Sequence, residues 1–148
     1  MNEFDFCVIG RWRNRDNVAK VVEAIRDAGN SCFSFIENDW SHHTGWNFSS
    51  EGTEEMMQQI EAQPQDSPEL KEIFDRDLYG LKSSESVVLV LPGGGSSLIE
   101  AGIAYGLGKK VYAVVSPDFE FKSEAIYNVF DKIFQNLDEF EEFLEAKK

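Results

Sequence analysis

The sequence predicts an α/β domain: a doubly wound, mainly parallel sheet of about five strands, Rossmann-like or flavodoxin-like, with helices on both faces. Three observations carry that prediction. Short runs of β-formers alternate with segments of helical period along the whole chain. The most apolar run, SVVLVL at 86–91, has the near-continuous hydrophobicity of a strand buried on both faces, which makes it the expected centre of the sheet. Three glycines follow it at once, at a strand's carboxyl end, where open α/β sheets place their ligands.

The elements follow in order. FDFCVI (4–9) is a strand ending at Gly10, and Val18, Val21, Val22 and Ile25 mark one face of a helix over 16–28. Gly29 and Asn30 supply a left-handed stop, after which CFSFI (32–36) is the second strand. A strand, helix, strand opening implies a parallel pair joined by a right-handed crossover. ENDWSHHTGWNFSS (37–50) has neither period and is expected to be a long loop with exposed rings. Helical patterns return at 51–62 and from Ser67 to about Lys82, with Pro64 and Pro68 breaking the chain between them. Leu70, Ile73, Phe74, Leu78 and Leu81 form the expected buried stripe of the second of these. Beyond the glycines, Leu98 to Leu107 is a helix whose Ala101, Gly102, Ala104 and Gly106 would allow close packing on the sheet. VYAVV (111–115) is the next strand; a short helix near 122–129, a strand around 131–134 and an acidic amphipathic helix over 137–146 complete the chain.

A chain of 148 residues with 42% apolar composition is the size of a single domain spanning 1–148. The longest apolar runs are strand-sized, so no membrane partner is expected, and Met1 leads into no secretion signal; a cytoplasmic protein is the expectation. Cys7 and Cys32 lie inside strand-like runs and read as small buried hydrophobes. A net charge of −13 opposes any nucleic-acid polymer as partner. Arg11, Arg13 and Arg15 nevertheless cluster at the carboxyl end of the first strand, where they can receive a small anion or stay solvated. Trp12 offers a stacking surface for a base, or a ring at the edge of the core, and Asn14 adds a polar group.

LPGGGSSLIEAG (91–102) holds the chemistry. Gly93, Gly94 and Gly95 let backbone N–H groups approach an anion or a sugar hydroxyl at a helix start, with Ser96 and Ser97 adding hydroxyls. No Lys follows, so this is not a triphosphate-binding Walker loop. Glu100 has two readings that its position leaves open. SLIE is the pattern of a capping box, Ser97 at the N-cap and Glu100 three residues on. A carboxylate in a first turn is equally an anionic nucleophile or a stabiliser of an oxocarbenium ion. No histidine is placed to activate Ser96 or Ser97 for acyl transfer; adjacent His42 and His43 point apart and have no Cys or carboxylate set at ligand spacing nearby, so no metal is expected.

The strand, glycine/serine loop, Glu100 and AGIAYGLGKKVYAVV (101–115) resemble the nucleoside 2-deoxyribosyltransferase-like superfamily. The likeness extends to CVIGRWRNRDNVAKVVEAIRDAGNSCFSFI (7–36) and to DLYGLKSSESVVLVLP (77–92), covering nearly the whole chain. It implies a small nucleoside or nucleotide as substrate, no cofactor and a homo-oligomer of two or more copies. It assigns Glu100 as the catalytic nucleophile at the anomeric carbon and Asp77 as the acid that protonates the departing base. By the same likeness Gly10, Arg11, Trp12, Arg13 and Asn14 join the glycine loop as substrate-binding residues, and Tyr127 and Asn128 reach a neighbouring subunit's pocket. Read without the family, Asp77 is a helix residue pairing with neighbours such as Arg76 or Lys82. The family's acid before the central strand has only Glu85 near its place, and Gly94 stands where many members have Ser or Asp. PGGGSSLIE is also similar to the Pro-Gly-Gly-x-Gly-Thr-x-x-Glu motif of phosphoribohydrolases acting on nucleoside monophosphates. Both families break an N-glycosidic bond; a non-catalytic nucleotide-sensing domain of the same fold is the rival from another class.

Overall fold

β1 (Phe4–Ile9) leaves the sheet at Gly10 and passes through one 3-10 turn, Trp12–Asn14, into α1 (Arg15–Asp27). The computed structural model describes residues 2–37 and 53–148, so the expected loop lies outside the described residues from position 38 on, His42 and His43 included. α1 ends as its sequence requires: Gly29 takes φ 92° and donates to the Arg26 carbonyl, and Asn30 N–H reaches the Ile25 carbonyl at 3.1 Å. β2 (Cys32–Ser34) is shorter than expected, because Phe35–Glu37 curls into a 3-10 turn. Ser34 already pairs with Val8, so β1 has only Ile9 left to offer, and Phe35 packs on Trp12 instead, ring centres 5.9 Å apart.

α2 (Thr53–Ala62) and α3 (Pro68–Lys82) follow, the latter capped by Ser67, whose Oγ accepts from Leu70 N–H. β3 (Ser84–Leu91) runs into a cis Pro92 and the glycines, and α4 spans Gly95–Gly106. β4 (Lys110–Val115) and β5 (Lys132–Phe134) are separated by a 3-10 turn at Ala125–Val129, where a short helix was expected. Its five residues are too few to nucleate an α-helix on their own. α5 (Leu137–Ala146) is capped by Asn136, which accepts from Glu139 N–H.

Among the described residues the sheet has five strands in the order β2-β1-β3-β4-β5, all parallel. β3 is central, as its sequence predicts. The chain reverses direction of winding between β1 and β3, and the connections that leave these paired strands at their carboxyl ends run to opposite faces, leaving a crevice between them. Alternation along the strands separates two cores. Phe6, Val8, Val88, Val90, Tyr112 and Val114 face α1 and α5, while Cys7, Ile9, Val87, Leu89, Val111 and Ala113 face the side of α3 and α4. Both cysteines are buried and unbridged.

Two details of packing differ from expectation. Of the four small residues expected to pack α4 on the sheet, Ala101 and Ala104 are buried; Gly102 and Gly106 are exposed, with open space where a side chain would stand. On α3, Leu81 is buried but Phe74 is 55% exposed, and the stripe between them borders a cavity instead of closing against the core.

Candidate functional site

The crevice is built from the loop after β1, the loop after β3 and the facing sides of α2, α3 and α4. Gly10 permits the first: a Cβ there would come within 2.9 Å of Val18 Cγ2, so only glycine lets α1 approach the strand end this closely. Asn14 fixes the loop from outside, its Nδ2 donating to Ser116 Oγ at 3.1 Å beyond β4. It is therefore a latch between two strand ends and does not line the crevice.

The second loop overturns the capping-box reading of Glu100. α4 starts three residues earlier than expected, with Gly94 at the N-cap and Ser97 as the third helical residue. The Ser97 hydroxyl, 1% exposed, accepts from Gly94 N–H at 2.9 Å and donates to the Gly94 carbonyl at 3.0 Å. One side chain thus secures the helix entry, and a Cβ on Gly93 would sit 2.8 Å from that hydroxyl. Glu100 falls in the second turn, past the strongest part of the helix dipole. Its carboxyl makes no hydrogen bond with a described residue and opens into the crevice.

Two cavities, of about 520 and about 390 Å3, meet at a shared wall of Ile60, Glu61, Ile73, Asp77, Ser96 and Glu100. The smaller is closed by Gly10, Arg11, Trp12, Arg13, Phe35 and the loop Gly94 to Ser97. The larger is mostly apolar, with Leu70, Phe74, Leu78, Ile99 and Ile103 among its walls and Gln63 and Gln65 at its edge. Of the ten residues expected to bind substrate, eight line the smaller cavity; Asn14 and Gly93 do not. Asp77 and Glu100 come from adjacent helices to one wall, 23 positions apart in sequence. Asp77 is half-buried and forms no ion pair among the described residues, which removes the pairing with Arg76 or Lys82.

Burial governs both carboxyls. It pushes Asp77 up to about 7, and it pushes Glu100 up to about 8 with a further contribution from the charge of Asp77. The two interact, so their protons leave in steps that belong to the pair, and near neutral pH the pair retains about one proton. An ionised and a protonated carboxyl side by side can act as nucleophile and acid on a single bond.

Some neighbours escape prediction. Phe35, Met57 and Ile60 line the smaller cavity, but helical apolar residues facing a cavity have the same spacing as those facing a core. Glu85 is the second residue of β3 and so lies at the opposite end of the sheet from Glu100. Tyr127 packs between Phe121 and Phe130, and Asn128 donates to the Ala125 carbonyl. Among the described residues no group of His, Cys, Asp and Glu is placed to hold a metal ion, and no helix is long and apolar enough to cross a membrane.

No family model and no curated protein matches the sequence. Among solved structures the chain is similar to a 2-deoxyribosyltransferase from the psychrotolerant bacterium Bacillus psychrosaccharolyticus, characterised as a biocatalyst for nucleoside synthesis. The two share 19% identity and superpose with a TM-score of 0.65 over 92% of this chain and 89% of that one. The chain has the nucleoside 2-deoxyribosyltransferase-like fold.

Proposed function

We propose that this chain cleaves or transfers at the N-glycosidic bond of a small nucleoside or nucleoside monophosphate, with Glu100 as nucleophile and Asp77 as acid. The observation that carries the reading is the shared wall: two carboxyls without hydrogen-bond partners among the described residues, beside a glycine loop at the switch point of the sheet. The sugar lies in the smaller cavity against Gly94 to Ser97, with Trp12 and Phe35 supplying apolar surface.

In the first step a Glu100 oxygen bonds to the anomeric carbon as the carbon–nitrogen bond breaks. The bonding pair leaves on the base nitrogen, which takes the Asp77 proton. Asp77 is then an anion beside a glycosyl ester. In the second step water or another base attacks the same carbon, gives its proton to Asp77 and frees Glu100, with retained configuration overall. Before substrate binds, the pair shares that proton. A base nitrogen accepting a hydrogen bond from Asp77 draws the proton to that side, and positive charge developing on the sugar favours ionised Glu100.

The test is incubation with the four common 2′-deoxynucleosides, the ribonucleosides and their 5′-monophosphates, with and without a second free base, measuring released base. The reading expects release from at least one compound, fastest between pH about 7 and about 8, where the pair is singly protonated. Glu100→Ala should reduce it by about a thousandfold or more. Undiminished release in that variant contradicts the assigned nucleophile.

A further inference from the structure

Arg13 lines the smaller cavity but is already engaged. Its Nε donates to Glu54 Oε1 at 2.5 Å and its Nη2 to Glu54 Oε2 at 3.2 Å, while Glu61 Oε1 lies 3.7 Å from Nη2. This two-pronged geometry is the one a guanidinium offers a phosphate, and here carboxylates from α2 fill it. The hydrogen bonds from Arg13 hold the Glu54 carboxyl below its usual range, with Arg11 adding to the effect, so the pair is ionised at neutral pH.

The consequence is a change of sign in the summed charge of the described walls of the smaller cavity. With Arg13 neutralised by Glu54, the charged side chains of the described walls leave Arg11 and about half a unit from the start of α4 on the positive side. Against them stand Glu61 and one ionised member of the Asp77 and Glu100 pair. The balance is slightly negative. Without the two α2 acids it would be positive by about one and a half units.

We propose that Glu54 and Glu61 are specificity residues: by occupying Arg13 and adding negative charge, they set the crevice for an uncharged nucleoside and against its 5′-monophosphate. This rests on the N-glycosidic reading of the site and narrows its substrate. A phosphate monoester carries about −1.5 to −2 charges at neutral pH, so it meets repulsion where a hydroxyl meets none.

The experiment compares kcat/KM for each deoxynucleoside and its 5′-monophosphate in the wild type, in the double variant E54Q/E61Q and in that variant with Arg13→Gln added. The ratio of monophosphate to nucleoside is taken within each protein, so any loss of folded fraction cancels. It should lie below about 0.1 in the wild type, rise about tenfold or more in the double variant, and fall back when Arg13 is also replaced. A wild type that prefers the monophosphate, or a ratio unmoved in the double variant, overturns the charge filter while leaving the reaction class intact. Absence of base release from every compound removes the N-glycosidic reading. Calorimetric titration of the same proteins with deoxyadenosine and deoxyadenosine 5′-monophosphate then decides the filter: it requires weaker monophosphate binding by the wild type and a gain in the double variant.

Discussion

The two faces of the sheet use the same strands for opposite ends. On the face covered by α1 and α5, Val18, Val21 and Ile25 meet Phe6, Phe134, Phe140 and Leu144 in a closed core without an ionisable side chain apart from Cys32 and Tyr112. Phe134 and Phe140 are fully buried with ring centres 5.2 Å apart, and Phe143 stacks on Phe140 and tilts against Phe134. On the other face, small Ala101 and Ala104 bring α4 close to the sheet, and the helices α3 and α4 part above to hold two carboxyls in a cavity. One face supplies stability. The other holds groups that burial disfavours when charged.

The largest expected stability effect lies on the closed face. Phe140→Ala should cost about 3–5 kcal/mol in chemical denaturation, while base release per folded molecule stays at the wild-type rate. A drop in the rate per folded molecule would show that the faces are not separable.

Next comes a dependence on pH from the open face. Asp77 and Glu100 bind protons more tightly folded than unfolded, so stability is greatest below their unfolded values near 4 and declines as pH rises through about 7 and about 8. The total is on the order of a few kcal/mol, moderated by water in the cavity. Glu100→Gln and Asp77→Asn should each raise the melting temperature clearly at pH 8.5 and much less at pH 5, against a wild type that loses stability between the two. Equal shifts at both pH values would contradict the burial of these charges.

Much of this contrast is legible in the sequence. Five strands, the order of elements and Gly29 as a helix stop follow from period and turn chemistry, because each depends on neighbouring residues. Glu100 is visible as a residue, but its freedom is not: Ser97 looks like an N-cap, and only the loop geometry shows Gly94 in that position with Ser97 bonding back to it. The engagement of Arg13 by Glu54 spans 41 positions and leaves no local pattern. Phe74 looks like core because its helical phase is right; that the neighbouring surface is a cavity is a tertiary fact.

The central claim is that the ionised side chain of Glu100 forms a bond to the sugar. It is tested most directly by incubating the protein with a 2′-deoxy-2′-fluoroarabino nucleoside, whose fluorine slows the second step, and measuring the mass of the intact chain and its peptides. The account predicts a single fluorosugar adduct on the peptide containing Glu100, lost in Glu100→Ala. Base release by the wild type without any adduct, or an adduct that persists in the variant, would contradict it.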